Sequence, residues 1–192
     1  PADGVGLLAE LPEIFDEPLA DSSVVPTVLI ARAARPFAKV VLNGDGGDEA
    51  LGGYRRVLAA RLRRPIAVGK VGAAVGGAVA GLATGWLHRL ATGLVAPRAY
   101  DVLGPAKLTR SEVSALLGRQ PVAVPALEEA IASCVGTDEV STMRTLDLSF
   151  FLPGDLLVKM DRATMASSLE ARSPFLDHRV LEMTARYPSW VL

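Results

Sequence analysis

The sequence predicts an α/β domain that is mostly helical and has few strands. Three observations carry this. Half of the 192 residues are apolar and 21% are charged, which supplies a core and excludes disorder over most of the length. Apolar residues recur at helical spacing in most segments. One short β-branched run, Lys39-Val40-Val41-Leu42, reads as a buried strand and passes directly into Asn43-Gly44-Asp45-Gly46-Gly47-Asp48-Glu49.

Taken in order, Leu7, Leu8, Leu11, Ile14 and Phe15 predict one amphipathic helix that Pro18 ends. Asp21, Ser22 and Ser23 are N-cap candidates for a helix over residues 24–35, with Pro26 tolerated in its first turn. The strand over residues 39–42 follows. Thr109 and Glu112 form a capping box for a helix that Gly118 stops. Asp138 or Thr137 caps another, which Pro153-Gly154 ends. Further helices are expected over residues 155–169 and 177–187. No internal repeat is present.

Length alone makes the chain a single domain or a piece of a longer protein. It begins with Pro1 and has no basic-then-apolar leader, so a start inside a longer chain is expected. The lone Cys134 excludes an internal disulfide and a cysteine-based zinc site, and fits a reducing, cytoplasmic compartment. Net charge is -1, which argues against nucleic acid as a partner. The charge is unevenly spread. Residues 1–49 carry nine acids and three bases, whereas residues 50–100 carry eight bases and no acid. The basic run through Arg55, Arg56, Arg61, Arg63 and Arg64 reads as a solvated helix face, with a polyphosphate-attracting surface as the alternative. Residues 71–87 are uncharged but rich in glycine and alanine, too short and too weakly apolar for a membrane span.

Chemistry gathers after the strand. A strand ending in a glycine-rich turn offers backbone N–H groups to phosphate oxygens, at the end of a sheet where ligands collect. Three acids, Asp45, Asp48 and Glu49, stand among three glycines there. Carboxylates repel bare phosphate, so their presence implies a magnesium ion between them and the phosphates. An ordinary acidic turn is the competing reading. Asp45 and Asp48 are expected to project into one cleft. The second concentration spans residues 155–178, with Lys159, Asp161 and Arg162 read as a surface ion-pair cluster and Leu157, Met160 and Thr164 as the core-facing stripe.

Three blocks then coincide: Asp16-Glu17-Pro18-Leu19-Ala20-Asp21-Ser22-Ser23; Leu42 to Glu49 with Gly52-Gly53-Tyr54; and residues 155–178, including Leu169-Glu170-Ala171-Arg172-Ser173-Pro174-Phe175-Leu176-Asp177. In this order they resemble the glutamine-hydrolysing asparagine synthetase family. The resemblance implies an incomplete synthetase domain of the adenine-nucleotide α-hydrolase-like (PP-loop ATPase) kind, with a few parallel strands flanked by helices. It divides the chain into a nucleotide-binding part over residues 1–58, a variable basic and Gly/Ala-rich part over residues 59–135, and a helical C-terminal part over residues 136–192. It further implies ATP and Mg2+ as cofactors and aspartate as substrate, activated as β-aspartyl-AMP. A glutaminase domain of the parent chain would supply ammonia. A homodimeric parent is compatible with it, and no membrane or nucleic acid enters.

By the same resemblance, Asn43 and Gly44 match the ATP-contacting pair, Asp45 the acidic position linked to acyl-adenylate formation, and Asp48 the carboxylate that holds magnesium on the pyrophosphate. Lys159, Arg162 and Arg172 lie in family-like blocks. Departures are also present. Asn43 stands where the family often has serine and Asp45 where many members have glutamate, while Ala50-Leu51 replaces a Leu-Phe pair. No Ser-Gly-Gly-x-Asp-Ser loop and no N-terminal nucleophilic cysteine occur, so the chain alone is expected not to make asparagine. An adenylating synthetase that closes a β-lactam or peptide amide, and a non-catalytic scaffold, are the rival readings.

Overall fold

The computed structural model describes residues 4–66, 108, 110–122, 124–135 and 137–191. The chain falls into two compact units, Pro1–Ala50 with Asp147–Tyr187, and Leu51–Leu146 with Pro188–Leu192. The expected mostly helical architecture with a small parallel sheet is what the described residues form.

In the first unit the predicted N-terminal helix is two helices, α1 (Gly4–Leu7) and α2 (Leu11–Phe15). Pro12 accounts for the break, because it has no N–H to offer the carbonyl of Leu8. The end of α2 is set by Asp16 in the left-handed region (φ 61), before Pro18 is reached. Helix α3 spans Val24–Ala34, with Pro26 in its first turn as expected.

Strand β1 (Val40–Leu42) pairs in parallel with β2 (Glu170–Arg172), in register Val40↔Glu170, Val41↔Ala171 and Leu42↔Arg172. The sequence of β2, Glu-Ala-Arg, has no β-branched or aromatic residue, and its alternation is too short to mark a strand. β1 is not the buried strand its composition predicts: Val40 and Leu42 are both exposed. Among the described residues β2 is its one neighbour, which leaves the other edge of β1 open.

Helix α4 (Gly47–Leu51) begins in the loop after β1. Further along, the segment expected to stop at Pro153-Gly154 instead continues through them as a π-helix, Asp147–Leu156. The wider turn moves the Pro153 ring away from the carbonyl of the preceding turn, the clash that ends an α-helix. The next helix, Leu157–Met165, stops short of the expected Leu169. Ser168 takes φ 54, the Leu169 N–H donates to the Thr164 carbonyl at 3.0 Å, and the Ser168 N–H donates to the Met165 carbonyl at 2.8 Å. That pattern is a Schellman ending with serine where glycine is usual, and it turns the chain into β2. A short 3-10 turn, Pro174–Leu176, leads to a helix over His178–Ala185, whose first turn Asp177 caps by accepting from the Arg179 N–H. The core of this unit joins Leu7, Phe15, Val24, Val28 and Ala163, with Leu11, Ile14 and Leu19 packed on it. Each large side chain removed from water there contributes about 1.5–3 kcal/mol.

In the second unit, α5 (Arg55–Ile66) is followed by α6 (Arg110–Leu117), α7 (Pro125–Ser133) and α8 (Glu139–Leu146). In chain order, the helix over Leu157–Met165 is therefore α9 and that over His178–Ala185 is α10. Gly118 stops α6 at φ 63, as predicted, whereas Thr109 of the expected capping box lies outside the described residues. Asp138 caps α8, its Oδ1 accepting from the Val140 and Ser141 N–H groups at 3.1 Å. Helix α5 packs on α8, and Val57, Ala60, Val140, Met143 and Leu146 are buried. Arg56 stacks over the Tyr54 ring and Arg61 donates to the Ser189 carbonyl, so two arginines of the basic run serve the fold itself. Residues 71–87 lie outside the described residues, and no described helix is long and apolar enough to cross a membrane.

Candidate functional site

The site grows from the end of β1. The Asn43 N–H donates to the Arg172 carbonyl at 2.9 Å, extending the ladder by one bond. Its side-chain Nδ2 donates to Asp45 Oδ2 at 2.9 Å, and its Oδ1 accepts from Ser173 Oγ at 2.5 Å. Gly46 has φ 89, a conformation that favours glycine, and a Cβ built there would press on the Leu176 side chain. The turn closes through the Gly47 N–H to the Gly44 carbonyl at 3.1 Å. Among the described residues, no atom beyond its chain neighbours lies within 4 Å of where a Gly44 Cβ would stand, which leaves that face open to a close approach. Asp45 is half-buried, Asp48 is exposed on the first turn of α4, and Glu49 is buried.

Helix α9 supplies the cationic side. Lys159 is buried, its Nζ 2.5 Å from Asp21 Oδ2 and 2.7 Å from Ser23 Oγ. Asp21 Oδ1 accepts from the Ser23 N–H at 2.8 Å. Ser23 occupies the N-cap position of α3 but makes no side-chain cap bond, and its hydroxyl accepts from Lys159 instead. Arg162 bonds the Phe15 carbonyl and Asp16 Oδ2, at 2.8 and 2.6 Å. These contacts correct the expected surface cluster. Lys159 and Arg162 do not form pairs with Asp161; each reaches a carboxylate near the start of the chain. The core-facing stripe is corrected too, since Lys159, Ala163 and Thr164 are buried while Leu157 and Met160 are half-buried.

The electrostatics follow from this packing. Burial works against ionisation of Asp21, but hydrogen bonds from Lys159 and Ser23 outweigh it and hold its carboxyl below the ordinary value. Asp45 goes the other way. Burial pushes its carboxyl up, the Lys159 charge pulls down, the Glu49 carboxylate pushes up, and the Asn43 bond pulls down, leaving it raised. Among the described residues no three His, Cys, Asp or Glu side chains gather closely enough to hold a metal by themselves. A cavity of about 510 Å³ opens between α2 and α3, lined by Leu11, Phe15, Leu19 and Val24. It touches the site through Asp21 and Ser22, and neither Asp45 nor Asp48 lines it.

The third sequence block thus binds both others, Lys159 to Asp21 and Ser173 to Asn43. The family profile described as asparagine synthase matches residues 1–190. The chain belongs to the asparagine synthase family. A provisionally named glutamine-hydrolysing asparagine synthetase of Mycobacterium tuberculosis (strain H37Rv) is 38% identical over 200 residues, which is 95% of this chain and 29% of that protein. Glutamine-hydrolysing asparagine synthetase 1 of Bacillus subtilis is 30% identical over 195 residues, 93% of this chain and 30% of its own length. The chain therefore spans about 30% of the length of these relatives. No solved structure matches the chain significantly.

Within this asparagine synthase domain, the sequence singled out Asn43, Gly44, Asp45 and Asp48, and the structure gathers the first three in one turn with Asp48 on the helix that follows. Asp21, Ser23 and Ser173 belong to the same network and were not among the expected site residues. Asp21 and Ser23 carry an N-cap signal that masks their use by Lys159. Ser173 becomes legible only once β2 is known to pair with β1.

Proposed function

We propose that this chain is the adenylating part of an ATP-dependent asparagine synthetase. The observation that carries the reading is the Asn43–Glu49 turn at the carboxyl end of a parallel strand, in a chain of the asparagine synthase family. In the proposed reaction a β-carboxylate oxygen of aspartate attacks the α-phosphorus of ATP, and pyrophosphate leaves. Ammonia, released from glutamine by another domain of the parent, attacks the acyl carbon of β-aspartyl-AMP, and AMP leaves with the carboxylate oxygen.

In this reading Asn43 and Gly44 contact ATP, with the open face of Gly44 letting the nucleotide come close. Asp45 stands at the position where the acyl-adenylate forms. Asp48, exposed and outside any carboxylate cluster among the described residues, fits a magnesium ion that arrives with the nucleotide, since that ion takes one or two carboxylates and keeps substrate phosphates and waters as its other ligands. Bound there, magnesium would neutralise charge on the departing pyrophosphate. The finer fold reading is a PP-loop ATPase, whose sheet continues beyond the open edge of β1. The parent is proposed to act in the cytoplasm, as a homodimer. Aspartate-dependent ATP–pyrophosphate exchange by the full-length protein is the test, and exchange without aspartate dependence would overturn the substrate assignment.

A further inference from the structure

The parallel register places Asn43 and Ser173 one step beyond the Leu42↔Arg172 pair. Residues paired across parallel strands put their side chains on the same face, so the two meet. Ser173 is itself fixed. It precedes Pro174, which restricts it to extended backbone, and it has φ -114 and ψ 93. An ionised Asp45 can only accept hydrogen bonds, so the Asn43 amide must turn its NH2 toward Asp45 and its oxygen toward Ser173. With the hydroxyl removed, the Asn43 oxygen loses its donor and the amide is free to swing away from the carboxylate. A displaced amide leaves Asp45 without that bond beside Glu49, whose like charge already weighs on it.

We infer that Ser173 is a positioning residue of the site, its hydroxyl holding the Asn43 amide in the orientation that Asp45 selects. The inference deepens the adenylation reading and rests on it for its kinetic test alone.

Asn43 is the only asparagine in the sequence, so asparagine-selective 15N labelling yields a single side-chain amide signal pair. The wild type is compared with Ser173→Ala, and Ser173→Thr with Ser173→Val, which share a shape and differ in the hydroxyl. Loss of a bond in a charge-linked pair should speed exchange of the Asn43 side-chain protons with water about tenfold in the Ala and Val variants, while Thr stays near wild type. In the full-length protein, kcat for aspartate-dependent ATP–pyrophosphate exchange should fall about tenfold in Ala and Val, with the ATP KM changed by less than about twofold. Identical amide behaviour in Val and Thr would overturn the inference. So would altered amides with unchanged kcat. If the amides respond as expected but the full-length wild type shows no aspartate-dependent exchange, the adenylation reading falls and the orienting contact stands.

Discussion

Lys159 Nζ lies 2.5 Å from Asp21 Oδ2 across 138 residues of sequence, with the two side chains only 8% and 13% exposed. In so dry a place the charges depend on each other. Removing one strands the other, which in buried pairs costs about 3–5 kcal/mol. Lys159→Met should therefore lower stability by about 3 kcal/mol, and Asp21→Asn by somewhat less, because asparagine can still bond Ser23. The double variant should lose clearly less than the sum. Urea unfolding of the four proteins checks this, and strict additivity would remove the pair from the account.

Asp21 and Asp45 should give stability profiles of opposite sign with pH. The Asp21 carboxyl titrates lower in the folded chain than the ordinary value of about 3.9. Its stabilising effect is fully present above that value and is lost as pH falls through the folded one. Asp45 titrates higher in the folded chain. Between the ordinary and the raised value the folded chain holds more protons, so the cost of its charge disappears as pH falls through the raised value. Asp45→Asn should thus be more stable than the wild type at pH 7, the gap closing toward acid, while Asp21→Asn should be less stable at pH 7 and converge with the wild type at lower pH still. Urea midpoints between about pH 3 and 8 measure both.

Most helices could be read from the sequence because their signals are local. Gly118, Asp138 and Asp177 act within one turn of themselves, and each does what its residue type predicts. The misplaced features depend on partners far along the chain. β2 exists because β1 offers it a ladder, and Lys159 is buried because Asp21 neutralises it and Ser23 accepts a hydrogen bond from it; neither fact has a mark in the nearby residues. Pro12 is an exception, a local signal that splits the first helix and that apolar spacing alone overrides. In the site, the turn from Asn43 to Glu49 was legible from composition, whereas Ser173 required the register.

Ser168 ends α9 in the left-handed region and is exposed, and its side chain makes no hydrogen bond among the described residues. A residue with a Cβ pays about 1 kcal/mol or more for that conformation, and glycine does not. Part of the gain is returned through the greater freedom of glycine in the unfolded chain. Ser168→Gly should therefore stabilise the protein by about 0.5 kcal/mol, seen as a higher urea midpoint with an unchanged slope. A fall in the midpoint would mean that the serine side chain holds the turn.

At Asp48, chemistry and stability should separate. Its side chain is exposed on the first turn of α4, and no described hydrogen bond or ion pair ties it to the fold. A surface carboxylate in that setting contributes within about 0.5 kcal/mol, part of it through the helix dipole, and asparagine has the same size. In the proposed reaction, however, the same carboxylate faces the magnesium–pyrophosphate group, where charge builds as the leaving group departs. Loss of one such stabilising group costs about two to three orders of magnitude in rate. Asp48→Asn in the full-length protein should therefore unfold at nearly the wild-type urea concentration while aspartate-dependent ATP–pyrophosphate exchange falls at least about a hundredfold. Raising the magnesium concentration should recover part of that loss if the carboxylate acts through the ion. Exchange near the wild-type rate would remove Asp48 from the reaction, and a large fall in stability would reassign it to the fold.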